Sequence, residues 1–267
     1  MIIKLAGYFL ASIRLFAIVL LMILLVPTGI FLIYLRLIPR RSGFVIRNIF
    51  CKLALIIFGI KLVQTGKLEN IKGALYVGNH RSLIDPIIIF SQLKEAYVIS
   101  KAEVESYPLI GIGAKMSGVI FVARENAESR KNTKLEIDKA MTQQKSIVIF
   151  PEGTISTNRK TLAFKKGSFE IAALHNRPVI AFAHEMANPV SDFWYQSNII
   201  IQFYRTFSKL RTVVFLHFFS PIYNNDPLWL TSECEYRINQ KLTEFQTNWN
   251  ESEKQYVISV EKKERLS

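Results

Sequence analysis

From Leu15 to Leu35 the chain runs for 21 residues, LFAIVLLMILLVPTGIFLIYL, without a single charge. A helix of roughly 20 apolar residues is long enough to cross a hydrocarbon core. A cleaved signal peptide has a shorter apolar region that ends in small residues. This run is instead followed by Arg36, Arg40 and Arg41, so it is expected to stay on the mature protein and hold it to a membrane.

Pro27, Thr28 and Gly29 interrupt the run, which predicts a kink or a hairpin there. A second apolar piece, LALIIFGI from Leu53 to Ile60, lies between Lys52 and Lys61 and is too short to span a bilayer. A single-pass anchor and a monotopic two-helix hairpin both fit this pattern. Four arginines, Arg36, Arg40, Arg41 and Arg47, stand between the two pieces, against Lys4 and Arg14 before the first. The positive-inside bias therefore places the rest of the chain on the cytoplasmic face.

Lys and Arg total 34 against 21 Asp and Glu, a formal charge of +13. That excess suits an anionic partner. With the anchor beside it, the expected partner is a phospholipid bilayer and not nucleic acid. The two cysteines, Cys51 and Cys234, are far apart with no metal-type spacing, so neither a disulfide framework nor a metal site is expected.

Beyond about residue 62 the pattern changes. Strands are predicted at ALYVGN (Ala74), AYVIS (Ala96), VIFVA (Val119), SIVIF (Ser146), PVIAFA (Pro178), IIIQFY (Ile199) and TVVFLHF (Thr212). Helices are predicted at Asn126 to Gln144, Lys166 to Leu174 and Thr231 to Trp249. The expected organisation is a membrane-anchoring segment over residues 1–62 and an α/β domain over 63–267, a mostly parallel sheet covered by helices on both faces. Sites in such sheets form at the carboxyl ends of strands, where His80, Arg124 and Glu152 fall.

In YVGNHRSLIDP, Asp85 follows His80 by five residues. Across the turn that starts a helix, the carboxylate can accept from one ring nitrogen and leave the other free as a base, the orienting half of a catalytic triad. An imidazole titrates near pH 6.5 when unperturbed, so a carboxylate neighbour suits it to proton transfer near neutrality. Read alone, the stretch is better described as a helix cap at Asn79 with His80 packed beneath it. Ser82 lacks a G-x-S-x-G elbow and reads as a cap or loop hydrogen bond.

Two further clusters, GVIFVAR (Gly118 to Arg124) and FPEGTIS (Phe150 to Ser156), also bring polar groups to strand ends. Arg124 offers a planar fork for phosphate, Gly153 permits close backbone approach, and Glu152 can bind a hydroxyl or orient the arginine. Lys165 and Lys166 add positive charge before a helix start. His175, His184 and His217 have no partner at a telling spacing and read as structural.

NHRSLID, GVIFVAR and FPEGTIS, in this order and spacing, resemble the first three motifs of the glycerophospholipid acyltransferases, the family that includes the 1-acylglycerol-3-phosphate acyltransferases. SKAEVESYPLIG, with Lys101, and FKKGSFEIA look like further family segments, so the resemblance covers roughly Gly73 to Glu185. It implies that His80 and Asp85 are the catalytic dyad. Gly118, Arg124, Glu152, Gly153 and Thr154 would bind the acceptor's glycerol phosphate, and Asn79, Ser82, Lys101, Lys165 and Lys166 would support them. Two positions depart from the family pattern, Ile155 where an arginine is common and Ala181 where a second proline is usual.

The implied reaction passes a fatty acyl group from an acyl thioester, on coenzyme A or an acyl carrier protein, to the free hydroxyl of a lysophospholipid. No metal or other cofactor is called for. Lysophosphatidate and lyso-ornithine lipid are both candidate acceptors. A lipid or thioester hydrolase using the same dyad on water, and a non-enzymatic lipid-binding scaffold, are the rival readings.

Overall fold

The computed structural model describes residues 2–106, 110–122, 127–194 and 198–266. It opens with two helices, α1 (Ile2–Tyr34) and α2 (Ser42–Phe58). A Cβ added at Gly29 would strike Ile46, and Arg14 reaches the backbone at Gly59, so the two helices run antiparallel as a hairpin. The turn lies over residues 35–41 and not at Pro27, through which α1 continues. Helix is the conformation that satisfies backbone groups in apolar surroundings. The chain instead breaks where the arginines begin, with Arg36 at φ 58°.

Lys4–Tyr34 is one stretch long and apolar enough to cross a membrane. It leaves Leu5, Phe9, Phe16, Leu24 and Phe31 exposed, whereas Arg14 is buried.

The rest is α/β: β1 (Ile60–Thr65), β2 (Leu75–Gly78), α3 (Asp85–Gln92), β3 (Ala96–Lys101), a 3-10 turn (Ala102–Ser106), α4 (Ile110–Met116), β4 (Val119–Val122), α5 (Ala127–Thr142), β5 (Ser146–Ile149), α6 (Gly167–Leu174), β6 (Val179–Met186), α7 (Pro189–Asp192), α8 (Ile199–Phe207), β7 (Thr212–Phe218), α9 (Pro227–Gln246) and α10 (Glu251–Leu266). The strands form one sheet in the order β1-β7-β6-β2-β5-β3-β4. Every pair is parallel except β6 with β7.

β2, β5 and β6 are buried along their whole length, as strands covered on both faces must be. One face carries Ile88, Ile89, Phe182, Phe203 and Phe207; the other carries Met141, Phe169, Ala172, Ile238 and Leu242.

Two sequence expectations change. The run from Ile199 is helix α8, not a strand, because the Asn198 side chain caps it through the amides of Ile200 and Ile201. Gln202, Phe203, Thr206 and Phe207 then form one buried helical face. The piece from Leu53 to Ile60 completes α2 and enters β1, which pairs with β7 from Ile60↔Thr212 to Thr65↔His217.

Candidate active site

β2 and β5 are neighbours and parallel, so their carboxyl ends open on the same edge of the sheet. The chain leaves β2 for β3 on one side, and β6 returns to β2 on the other, so this edge is also where the winding reverses. Out of β2 come Asn79, His80, Arg81 and Ser82; out of β5 come Phe150 to Ser156.

His80 stacks on Phe150 with ring centroids 4.5 Å apart and planes at 19°. Its Nδ1 lies 2.7 Å from Asp85 Oδ2. A carboxylate can only accept, so Nδ1 carries the proton and Nε2 is the lone-pair nitrogen. The His80 side chain is 17% exposed, whereas Asp85 is wholly buried.

Asp85 Oδ2 also accepts the amides of Arg81 at 2.6 Å and Ser82 at 2.8 Å, and Oδ1 accepts the Ser82 hydroxyl. Burial alone would raise this carboxyl's pKa. The close approach of His184 and the contacts from His80 outweigh it and hold the group well below the usual carboxylate range. Asp85 is therefore an ionised orienter, and Ser82 is committed to it.

Asn79 does not cap α3. Its side chain donates to His184 O at 2.8 Å and accepts from His184 N at 3.0 Å, extending the pairing of β2 with β6. Glu152 is buried between two backbone amides: Oε1 accepts from His80 N at 2.8 Å and Oε2 from Leu162 N at 2.8 Å. Burial raises the Glu152 pKa against the pull of those two amides and of nearby Arg81 and His80.

Gly153 has φ 76°, a conformation that favours glycine, and a Cβ there would lie 2.3 Å from Lys165 Nζ. Its own amide is taken by Phe150 O at 3.0 Å. Thr154 is exposed beside it. Lys166 extends away toward Glu170, 3.9 Å distant.

Gly118, expected at the acceptor, instead precedes β4 and so lies at the amino edge of the parallel strands, opposite His80; at φ 84°, with the Phe44 ring 2.5 Å from where a Cβ would stand, it serves the packing of α2 on the sheet. Lys101 ends β3 in register with Val122 of β4. Arg124 lies outside the described residues. The strand that precedes it stands three places from β2, about 14 Å across the sheet at ordinary spacing.

Two charges not singled out in the sequence complete the floor. Arg81 is buried; its guanidinium donates to Ser156 O at 3.0 Å, to Asn158 O, to Arg159 O at 3.2 Å and to Glu185 Oε2 at 2.9 Å. The sequence signal for this pair is Glu185 itself, a carboxylate closing a run that is apolar from Val179 to Ala183 and in need of a buried partner. His175 and His217 also have partners, Asp138 at 2.6 Å and Thr65 at 2.8 Å, both away from this edge.

A histidine base on a buried carboxylate, at the mouth of a strand edge with cationic groups nearby, is equipped to deprotonate a hydroxyl. Residues 59–185, which contain the groups from Asn79 to Glu185 that line this edge, match the model of the family described as Acyltransferase. That segment, slightly under half of the chain, is similar to the acyltransferase family.

Among curated proteins, a 1-acyl-sn-glycerol-3-phosphate acyltransferase from Borreliella burgdorferi is 35% identical over 136 residues, 49% of this chain and 54% of that protein. A lyso-ornithine lipid O-acyltransferase from Rhizobium meliloti is 28% identical over 151 residues, 57% of this chain and 50% of that protein. The chain thus spans about half the length of the curated relatives it matches. The crystal structure of the 1-acyl-sn-glycerophosphate (LPA) acyltransferase PlsC from Thermotoga maritima aligns over 94% of this chain and 97% of that one, with a TM-score of 0.69 and 22% identity. That likeness establishes the fold, helical N-terminus included.

Proposed function

We propose that this protein is a membrane-attached acyltransferase that moves a fatty acyl group from an acyl thioester to the free hydroxyl of 1-acyl-sn-glycerol-3-phosphate, giving phosphatidic acid. The observation that carries the reading is the 2.7 Å contact of His80 Nδ1 with Asp85, inside the segment matched to the acyltransferase family.

His80 Nε2 takes the hydroxyl proton as the oxygen attacks the thioester carbonyl carbon. Asp85 holds the ring and balances the charge it gains. The tetrahedral intermediate collapses with cleavage of the C–S bond, and His80 returns the proton to the departing thiolate. A thiol of pKa about 8.5 is already a good leaving group, so the chemistry requires no covalent acyl-enzyme.

Arg124, Gly153 and Thr154 receive the acceptor's phosphate end, with Lys101 and Lys165 supplying further charge. Glu152 serves by holding the amide of His80. The donor is acyl-coenzyme A or acyl carrier protein, and no metal or other cofactor takes part. Residues 1–62 hold the protein in the bilayer, and residues 63–267 work at its cytoplasmic face, where the arginines after α1 meet anionic lipid.

One observation favours a second acceptor. Ile155 removes a cation that a phosphate would use, and the Rhizobium meliloti relative is named for lyso-ornithine lipid.

The test uses the purified protein in detergent micelles with each thioester donor and a panel of lysolipids, recording thiol release and acylated lipid for wild type and His80→Ala. Phosphatidate from wild type and none from the variant is expected. Thiol without acylated lipid across the panel would mean hydrolysis. No turnover with any pair would leave a lipid-binding scaffold.

A further inference from the structure

We infer that His184 is a positioning residue that fixes the Asp85 carboxylate and, through it, sets how strongly His80 holds a proton. The inference rests on the acyl-transfer reading of the dyad.

His184 is on β6, wholly buried, with Nε2 3.1 Å from Asp85 Oδ1, the oxygen that His80 does not use. Neither ring nitrogen makes a well-aligned hydrogen bond. Nε2 therefore acts on the carboxylate through its charge or its N–H dipole at close range. A buried imidazole without an aligned partner is costly to keep, and a leucine would fill similar space at less cost. The backbone around it is also held: Asn79, next to His80, bonds to both the N–H and the C=O of His184. One asparagine thus fixes the segments that carry both histidines.

The charged and titratable groups around the ring are accounted for. Asp85 approaches from α3 and His80 reaches the same carboxylate from the end of β2. Arg81 and Glu185 neutralise each other at 2.9 Å. Glu152, from the end of β5, is bonded to the amides of His80 and Leu162. On β7 the residue in register with His184 is Leu216.

Two imidazoles on opposite oxygens share one negative charge. Removing His184 leaves more of that charge to His80 and favours its protonated form, which makes it a worse base at mildly acidic pH. The ring also keeps Asp85 from turning, so its loss lowers kcat more than it changes KM for either substrate.

The experiment compares His184→Leu, His184→Asn and His184→Gln in the full-length protein, with pH profiles of kcat and kcat/KM and a thermal melt for each. A glutamine amide reaches the place of Nε2, whereas an asparagine amide stops at the place of Nδ1. The Leu and Asn variants are expected to lose about tenfold or more in kcat, with KM within about twofold. Their acid limb should move to higher pH by roughly half a unit or more, with Gln close to wild type in both.

If Leu does not fold, Asn against Gln decides. Equal behaviour of the two amides, or an unmoved acid limb in folded variants, would overturn the inference. Inactive wild type with every donor and acceptor would instead bring down the acyl-transfer reading.

Discussion

Glu152 Oε1 accepts the backbone N–H of His80 at 2.8 Å, joining the loop after β5 to the loop after β2. The return contact is the amide of Ser156 donating to His80 O at 2.9 Å. The motif that reads as an acceptor-binding sequence is thus also what holds the backbone of His80 in place. A change in one loop is felt in the other.

Replacing Glu152 by Gln turns one acceptor toward a donor and sets an NH2 against either the His80 or the Leu162 amide. Each lost charge-assisted bond is worth about 1.5–3 kcal/mol, so the melting temperature should fall and kcat should drop by tenfold or more. The pH dependence has a definite sign. Burial raises the Glu152 pKa, so its contribution to stability is full below its unfolded value, about 4.3, and declines as pH rises through the folded value. The stability gap between wild type and E152Q should therefore narrow from pH 4 to pH 7 in denaturant titrations.

Asp85 gives the opposite slope. Its carboxyl is held below the ordinary range, against the penalty of burial, by His184 and His80. Its contribution is full above the unfolded value, about 3.9, and is lost only as pH falls through the lower folded value. Asp85→Asn should cut kcat by about 10²–10⁴ at every assay pH. Its stability deficit should be widest at neutral pH and close in strong acid. A deficit that grew on acidification would contradict the assignment of an ionised buried carboxylate.

How much of this is legible in the sequence depends on range. His80 and Asp85 are five residues apart and meet across one turn, so their spacing is enough to suggest the pair. Glu152 meets the His80 amide only because β5 lies beside β2, which strand prediction does not supply. His184 reads as structural because no partner stands at a telling spacing in the sequence, and its proximity to Asp85 arises from the pairing of β2 with β6. Six of the seven predicted strands are present. The exception, from Ile199, follows β-branched composition where a capping asparagine and a buried helical face govern instead. β1 escapes because its first residue closes an apolar stretch that resembles a membrane segment.

Gly153→Ala tests how the third motif uses its glycine. The added methyl forces an L-residue to φ 76° and pushes Lys165 Nζ from its place. The backbone cost is about 1–2 kcal/mol. If Lys165 serves the acceptor's phosphate from that position, both Gly153→Ala and Lys165→Ala should raise KM for the lysolipid several-fold while kcat changes less. The double variant should then be no worse than the poorer single one, since both remove the same ammonium. Full additivity in KM would show that the two residues act separately.

The apolar helix α1 is tied to the α/β sheet by a charge buried at its flank. Arg14 of α1 donates from Nη1 to Phe207 O at 3.0 Å and Lys209 O at 2.6 Å, and from Nη2 to Leu210 O at 2.8 Å. These carbonyls lie at and just beyond the end of α8, where unsatisfied acceptors and the helix dipole both favour a cation. Arg14→Leu keeps α1 apolar but strands all three carbonyls, at a cost of roughly 3 kcal/mol. Arg14→Lys retains the charge, but a single ammonium cannot span the three acceptors that the planar fork reaches, so it should fall between. Thermal unfolding in detergent should rank wild type above R14K above R14L. Equal melting of R14L and wild type would mean that α1 is held by its apolar contacts alone.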